Sequence, residues 1–146
     1  MDPGSYNRIM FFTISMTYCK EGDIEGVLYC PQVKGFIQFE GLIKLILIMD
    51  KIMEDCNVPK YDGRFRRLNI GQEINKIEID YVNSKEDMKD YLNFPKKELK
   101  KYNHVFHVEM MRRQNYSWQG KMTLIKGNKV RFFRSSLEFI KLVLSI

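Results

Sequence analysis

Four arginines and one serine in the last third of the chain have the types and spacing to hold an anion. Ser135 followed three residues later by Glu138 is a capping box: the hydroxyl accepts from a first-turn amide and the carboxylate reaches back. Such a helix start presents unpaired backbone amides and a partial positive charge. Arg131 and Arg134 stand just before it, and Arg112 and Arg113 lie on the strand of the preceding hairpin. Guanidinium forks beside helix amides suit a phosphate. Tyr116 and Trp118 flank the hairpin tip, where an aromatic ring could stack on a base. The expected binding set is Arg112, Arg113, Arg131, Arg134, Ser135, Tyr116 and Trp118. Trp118 also suits a core position, because large indoles are mostly buried.

The charge distribution points the same way. Residues 100–146 hold ten Lys or Arg against two acids, a surplus of eight, whereas the whole chain carries +6. The remainder is therefore slightly acidic. A surplus so placed fits nucleic acid or a nucleotide-like ligand, or a plainly solvated basic face.

Other chemistry is weakly represented. His104 and His107 are three apart on an expected strand, so they point to opposite faces and cannot share a metal. Glu21, Asp23 and Glu25 cluster at a turn, which accounts for them. There is no phosphate-binding glycine loop, no G-x-S-x-G and no H-E-x-x-H. Cys19, Cys30 and Cys56 are odd in number and widely spaced, which favours reduced thiols in the cytoplasm. Neither a catalytic residue, a metal nor a cofactor is expected. The longest apolar run, 42–49, is too short to span a bilayer, and no signal peptide is visible, so no membrane association is expected.

The elements that must position these residues look duplicated. Phe12, Met16 and Gly26 fall on Phe106, Met110 and Gly120; after a three-residue gap, Phe36, Ile43 and Lys44 fall on Phe133, Ile140 and Lys141. In the first copy, alternating apolar residues predict strands over 8–18, 24–30 and 35–39, with a helix from about 40 to 55. That helix is apolar almost all round, which predicts burial on more than one side. In the second copy, Phe106, Val108 and Met110, then Trp118, Gly120, Met122 and Leu124, then 130–133 predict three strands before the Ser135 helix. The intervening segment predicts strands over 65–70 and 74–82. It also predicts a helix capped by Ser84 and another over 96–101 opened by Pro95. The expectation is an α+β fold of two β-β-β-α repeats packed with pseudo-two-fold symmetry, an antiparallel sheet covered by helices. Its parts are 1–55, an insert over 56–103, and 104–146, within a single compact domain.

Residues 113–120, R-Q-N-Y-S-W-Q-G, and Phe133-Arg134-Ser135-x-x-Glu138-Phe139 resemble short uncharacterised clostridial proteins. Those proteins carry an R-Q-N-x-S-W-Q-G hairpin and an F-R-S-x-x-E-L helix start. The resemblance spans about 40 residues and implies a shared bacterial fold, with no activity attached. Asn115-x-Ser117-x-x-Gly120 also fits the [D/N]-x-S-x-x-G element of PilZ domains. The R-x-x-x-R partner of that element is missing and a β-β-β-α repeat is not a PilZ barrel, so the match is set aside. The sequence thus predicts a non-enzymatic cytoplasmic binding protein for an anionic partner. The alternative is a protein–protein interaction module, an inhibitor or adaptor, prone to self-association through its apolar first helix.

Overall fold

Strict alternation builds the centre of the molecule. Along β1 (Met10–Tyr18), Met10, Phe12, Ile14 and Met16 are all buried on one face, and along β4 (His104–Arg112), Phe106, Val108 and Met110 are buried to match them. The two strands pair antiparallel, with Phe12 opposite Val108 and Ile14 opposite Phe106. The computed structural model describes residues 8–61, 77–82, 101–114 and 117–146.

Each central strand continues outward through two more. β2 (Ile24–Tyr29) and β3 (Phe36–Glu40) follow β1; β5 (Gln119–Leu124) and β6 (Lys129–Phe133) follow β4. The result is one six-stranded antiparallel sheet in the order β3-β2-β1-β4-β5-β6. Helix α1 (Leu42–Cys56) comes after β3 and α2 (Ser136–Leu144) after β6, so the fold is α+β with each half running β-β-β-α. One apolar cluster joins both helices to one face of the sheet.

On the other face the side chains divide. Thr13, Ser15, Val27 and Tyr29 are buried, whereas Phe11, His107, Val130 and Phe132 are exposed.

The buried stripe of α1 is Leu45, Ile48, Met49, Ile52 and Met53, the spacing of one helical face. Ile43 on the outer side is 76% exposed. Besides the sheet, the 77–82 segment reaches this helix, where the Tyr81 hydroxyl donates to Asp55 Oδ2 at 2.5 Å; among the described residues the exposed positions of α1 are Ile43, Lys44, Glu54 and Asp55.

Two glycines let the strands close. A Cβ on Gly26 would sit 1.9 Å from the Ser15 carbonyl oxygen, and one on Gly120 would sit 2.2 Å from that of Glu109. No side chain fits at either place.

Of the strand expected over 74–82, residues 74–76 lie outside the described residues, and within 77–82 Tyr81 alone forms a bridge, with Val33. The strand expected over 65–70, the Ser84-capped helix and most of the helix over 96–101 lie outside the described residues. No helix among the described residues is long and apolar enough to cross a membrane.

Candidate anion-binding end of the sheet

The Ser135 helix start forms as its residue types dictate. Ser135 is extended at the N-cap, and its Oγ accepts from the Glu138 amide at 3.1 Å. Glu138 Oε2 in turn accepts from the Arg134 amide at 2.7 Å. The Ser117 hydroxyl donates to the Arg134 carbonyl at 3.3 Å, tying the β4–β5 turn to this end of β6.

Arg112 ends β4 opposite Gln119, beyond a register shift at Met110/Arg112, and is exposed. Arg131 lies opposite Met122 on β6 and is exposed, with Nη1 donating to the Val130 carbonyl at 2.8 Å. Arg134 is exposed directly after β6. Arg112, Arg134 and Ser135 thus share one end of the sheet, with Arg131 on the adjoining edge strand.

Arg113 is not with them. Its side chain is only 4% exposed. Nη1 meets Glu54 Oε1 and Nη2 meets Asn57 Oδ1, each at 2.7 Å, and Nε donates to the Pro59 carbonyl. The guanidinium lies 5.8 Å from the centre of the Tyr61 ring. Asn57 is the left-handed C-cap of α1, so Arg113 clamps the end of the first helix, where a cation also suits the helix dipole. Nearby Asp50 has its carboxyl pushed up by burial and then by Glu54, with Arg113 opposing. All three guanidinium nitrogens are engaged and the side chain is buried, which withdraws it from any phosphate at the surface.

Trp118 is withdrawn as well. It is 3% exposed, and its ring meets Phe139 edge-on at 5.4 Å. Its burial is the core alternative taken up in full, so it offers no stacking surface. Tyr116 lies outside the described residues. The exposed aromatic of this half is instead Phe132, 70% accessible, which strand alternation could have revealed: it is the outward member of the pair Phe132-Phe133.

The remaining chemical candidates are quiet. His104 lies opposite Met16 and His107 opposite Thr13, hence on opposite faces. His104 meets the Tyr18 ring edge-on at 6.0 Å. His107 Nδ1 shares a 2.8 Å hydrogen bond with Thr13 Oγ1. The Cys30 thiol donates to Gln32 Oε1 at 3.0 Å, and burial pushes its pKa up to about 12. Burial and then Asp55 raise that of Cys56. Neither thiol is activated. Among the described residues, no group of His, Cys, Asp or Glu could hold a metal ion.

At the opposite end, Glu21, Asp23, Glu25 and Glu40 line a cavity of about 420 Å³ beside the start of α1. Here Asp23 Oδ1 accepts from the amides of Ile24 and Leu42, at 2.8 and 2.9 Å, and so caps that helix.

Comparison of the chain with protein-family models, with curated proteins and with solved structures gives no match.

Proposed function

We propose that this is a non-enzymatic binding protein of the cytoplasm that holds an anionic partner, nucleic acid or a nucleotide-like ligand, on the basic face of its C-terminal half. The observation that carries the reading is the set of exposed cations Arg112, Lys129, Arg131 and Arg134 around one end and edge of the sheet. None of their side chains forms a salt bridge among the described residues. With Arg113 and Trp118 turned inward, what remains is a charged rim rather than an enclosed nucleotide pocket. That favours an extended anion held chiefly by charge. The test is titration with a labelled oligonucleotide and with a mononucleotide at two salt concentrations, using wild type and Arg112→Ala/Arg134→Ala. Affinity should fall steeply with salt as counterions are released, and the double variant should lose most of it. A flat salt response, or full binding by the variant, would sink the reading.

A second reading, a protein-interaction module acting as an inhibitor, an adaptor or a homo-oligomer, is favoured by one observation. The terminal strand β6 exposes Phe132 and Val130. Light scattering across a concentration series separates self-association from binding of another partner.

We further infer that the two halves are copies of one unit, related by a pseudo-two-fold axis through the Thr13–His107 pair. Those two residues are 94 apart. Shifting the first-half pairs Met16↔Gly26, Gly26↔Phe39 and Leu28↔Ile37 by the same number gives the second-half pairs Met110↔Gly120, Gly120↔Phe133 and Met122↔Arg131. The two N-caps, Gly41 and Ser135, follow suit. On this register Phe39, not Phe36, corresponds to Phe133, so the three-residue gap expected from sequence disappears. The equivalence also belongs with the resemblance of the second half to the short clostridial proteins. It is tested by exchanging capping residues between halves, as argued below.

A further inference from the structure

We infer that the outer edge of β6 is a docking edge for an extended polypeptide segment with alternating acidic and apolar residues, which joins the sheet as an added strand. This rests on the basic edge that carries the anionic-partner reading and puts an acidic polypeptide there in place of a nucleic acid or nucleotide.

Among the described residues, β6 pairs with β5 alone and ends the sheet. A terminal strand presents unpaired amides and carbonyls, a template for another chain. Its side chains are sorted by chemistry. Lys129 and Arg131 share the helix-covered side with Leu124 and Met122, while Val130 and Phe132 share the other side with Thr123 and Lys121. All four are exposed. A partner strand that answers both sides carries carboxylates at every second position and apolar side chains between them.

The first half of the molecule already holds a segment of that chemistry. Ile77-Glu78-Ile79-Asp80-Tyr81-Val82 alternates half-buried apolar residues with exposed acids. It lies against the connection into β3, where the Lys34 amide donates to the Asp80 carbonyl at 2.8 Å and the Val82 amide to that of Gln32 at 2.9 Å. Among the described residues, nothing equivalent lies against β6.

The same cations argue against a second copy as occupant. An antiparallel pairing of two β6 strands centred on Val130 would set Lys129 of each copy against Arg131 of the other, and like charges directly opposite repel. Lysine and arginine on an edge are thus a device against self-pairing. They do not explain Phe132, whose ring gains from a partner only if apolar surface is laid beside it. Arg131 Nη1, on the Val130 carbonyl at 2.8 Å, lies within reach of a carboxylate arriving along the strand.

The probe is a labelled peptide of sequence I-E-I-D-Y-V, titrated into the full chain and followed by anisotropy and by backbone amide shifts. A second peptide, N-methylated at alternate residues, keeps the charge and loses half of the donors. An oligonucleotide of matched length is run in parallel. The expected result is saturable peptide binding with shifts centred on Val130–Phe132. Affinity should fall about tenfold with the N-methylated peptide and about tenfold in Lys129→Glu/Arg131→Glu. Circular dichroism checks that this surface variant stays folded. Equal binding of both peptides, insensitivity to the charge reversal, or shifts confined elsewhere would overturn the edge proposal. Binding of the oligonucleotide but not the peptide overturns it too, while leaving the anionic-partner reading standing. Binding of neither at low salt overturns both.

Discussion

The two helix starts do the same job with different parts. At α2, the cap is local: Ser135 and Glu138 satisfy each other's neighbours within one turn. At α1, the N-cap is Gly41, with φ at 95° and no side chain to offer, and the amide of Leu42 is satisfied by Asp23 from the β1–β2 turn. The Gly41 amide donates to the Ile24 carbonyl at 2.7 Å, so this helix start is fastened to the sheet on both counts. Both starts touch the neighbouring turn, the second through Ser117 on the Arg134 carbonyl and the Trp118 amide on Ser136 Oγ, each at 3.3 Å, but only the first takes its capping acceptor from there. Function, on the proposed reading, sits where the capping carboxylate comes from the helix's own first turn and no acidic turn is needed.

The largest test of this comparison is at the paired glycines. Gly26→Ala should cost about 4 kcal/mol, because its Cβ would meet only backbone, the Ser15 oxygen at 1.9 Å and Met16 Cα at 2.9 Å. Gly120→Ala should cost about 3 kcal/mol, since one of its two closest clashes is the Phe133 ring edge, which can shift. Urea denaturation measures both. A harmless Gly120→Ala would break the equivalence of the two strand crossings.

Next in size is Arg113. Replacing it by Ala takes the guanidinium donor from the Pro59 carbonyl and Glu54, while Asn57 Oδ1 keeps the Tyr61 amide, and should cost about 3 kcal/mol. Arg113→Lys should recover less than half of that, because an ammonium cannot reproduce the fork. Arg134→Ala, by contrast, should stay within about 0.5 kcal/mol of wild type while weakening anion binding. If Arg113→Ala folds normally and loses the anion instead, the separation of clamp from rim is wrong.

Cap exchange is the sharper test. Asp23→Ala should cost about 1.5 kcal/mol and Ser135→Ala about 1 kcal/mol, since Asp23 holds two amides. Ser117 stands 94 residues after Asp23, beside the second helix start. If the halves are copies, Ser117→Asp placed in Ser135→Ala should restore most of the lost stability. No gain in thermal unfolding temperature would argue against the equivalence.

These cases also mark how far the sequence could be read. The strands of both halves and the capping box at Ser135 were legible because alternation and capping act within a few residues. The α1 cap was not, since Asp23 is nineteen residues from the amide it holds. Arg113 was misplaced for the same reason: its partners Glu54, Asn57 and Pro59 lie 54 to 59 residues away. Adjacent arginines in a strand point to opposite sides, so Arg112 and Arg113 could not have shared one cradle in a regular strand, and alternation alone carried that warning. The all-apolar composition of α1 suggested deep burial. Which positions stay wet, such as Ile43, depends on how many layers cover the helix, and that is a property of the assembled sheet.

The smallest effect expected is at the proposed axis itself, where the halves meet as Thr13 and His107. Desolvation lowers the proton affinity of the His107 ring, with Glu109 opposing. The unfolded chain therefore takes up a proton first as pH falls below 6.5, the ordinary imidazole value. Stability should be constant above that pH and decline on acidification through the window between 6.5 and the lowered native value. The decline should be shallow, because His107 keeps contact with solvent. On the proposed equivalence the counterpart of His107 is Thr13, so one of the two positions titrates, and His107→Gln should remove this part of the pH dependence. Thermal unfolding of wild type and His107→Gln from pH 7.5 to 5.5 measures it. Parallel curves for the two proteins would show that the imidazole contributes nothing there.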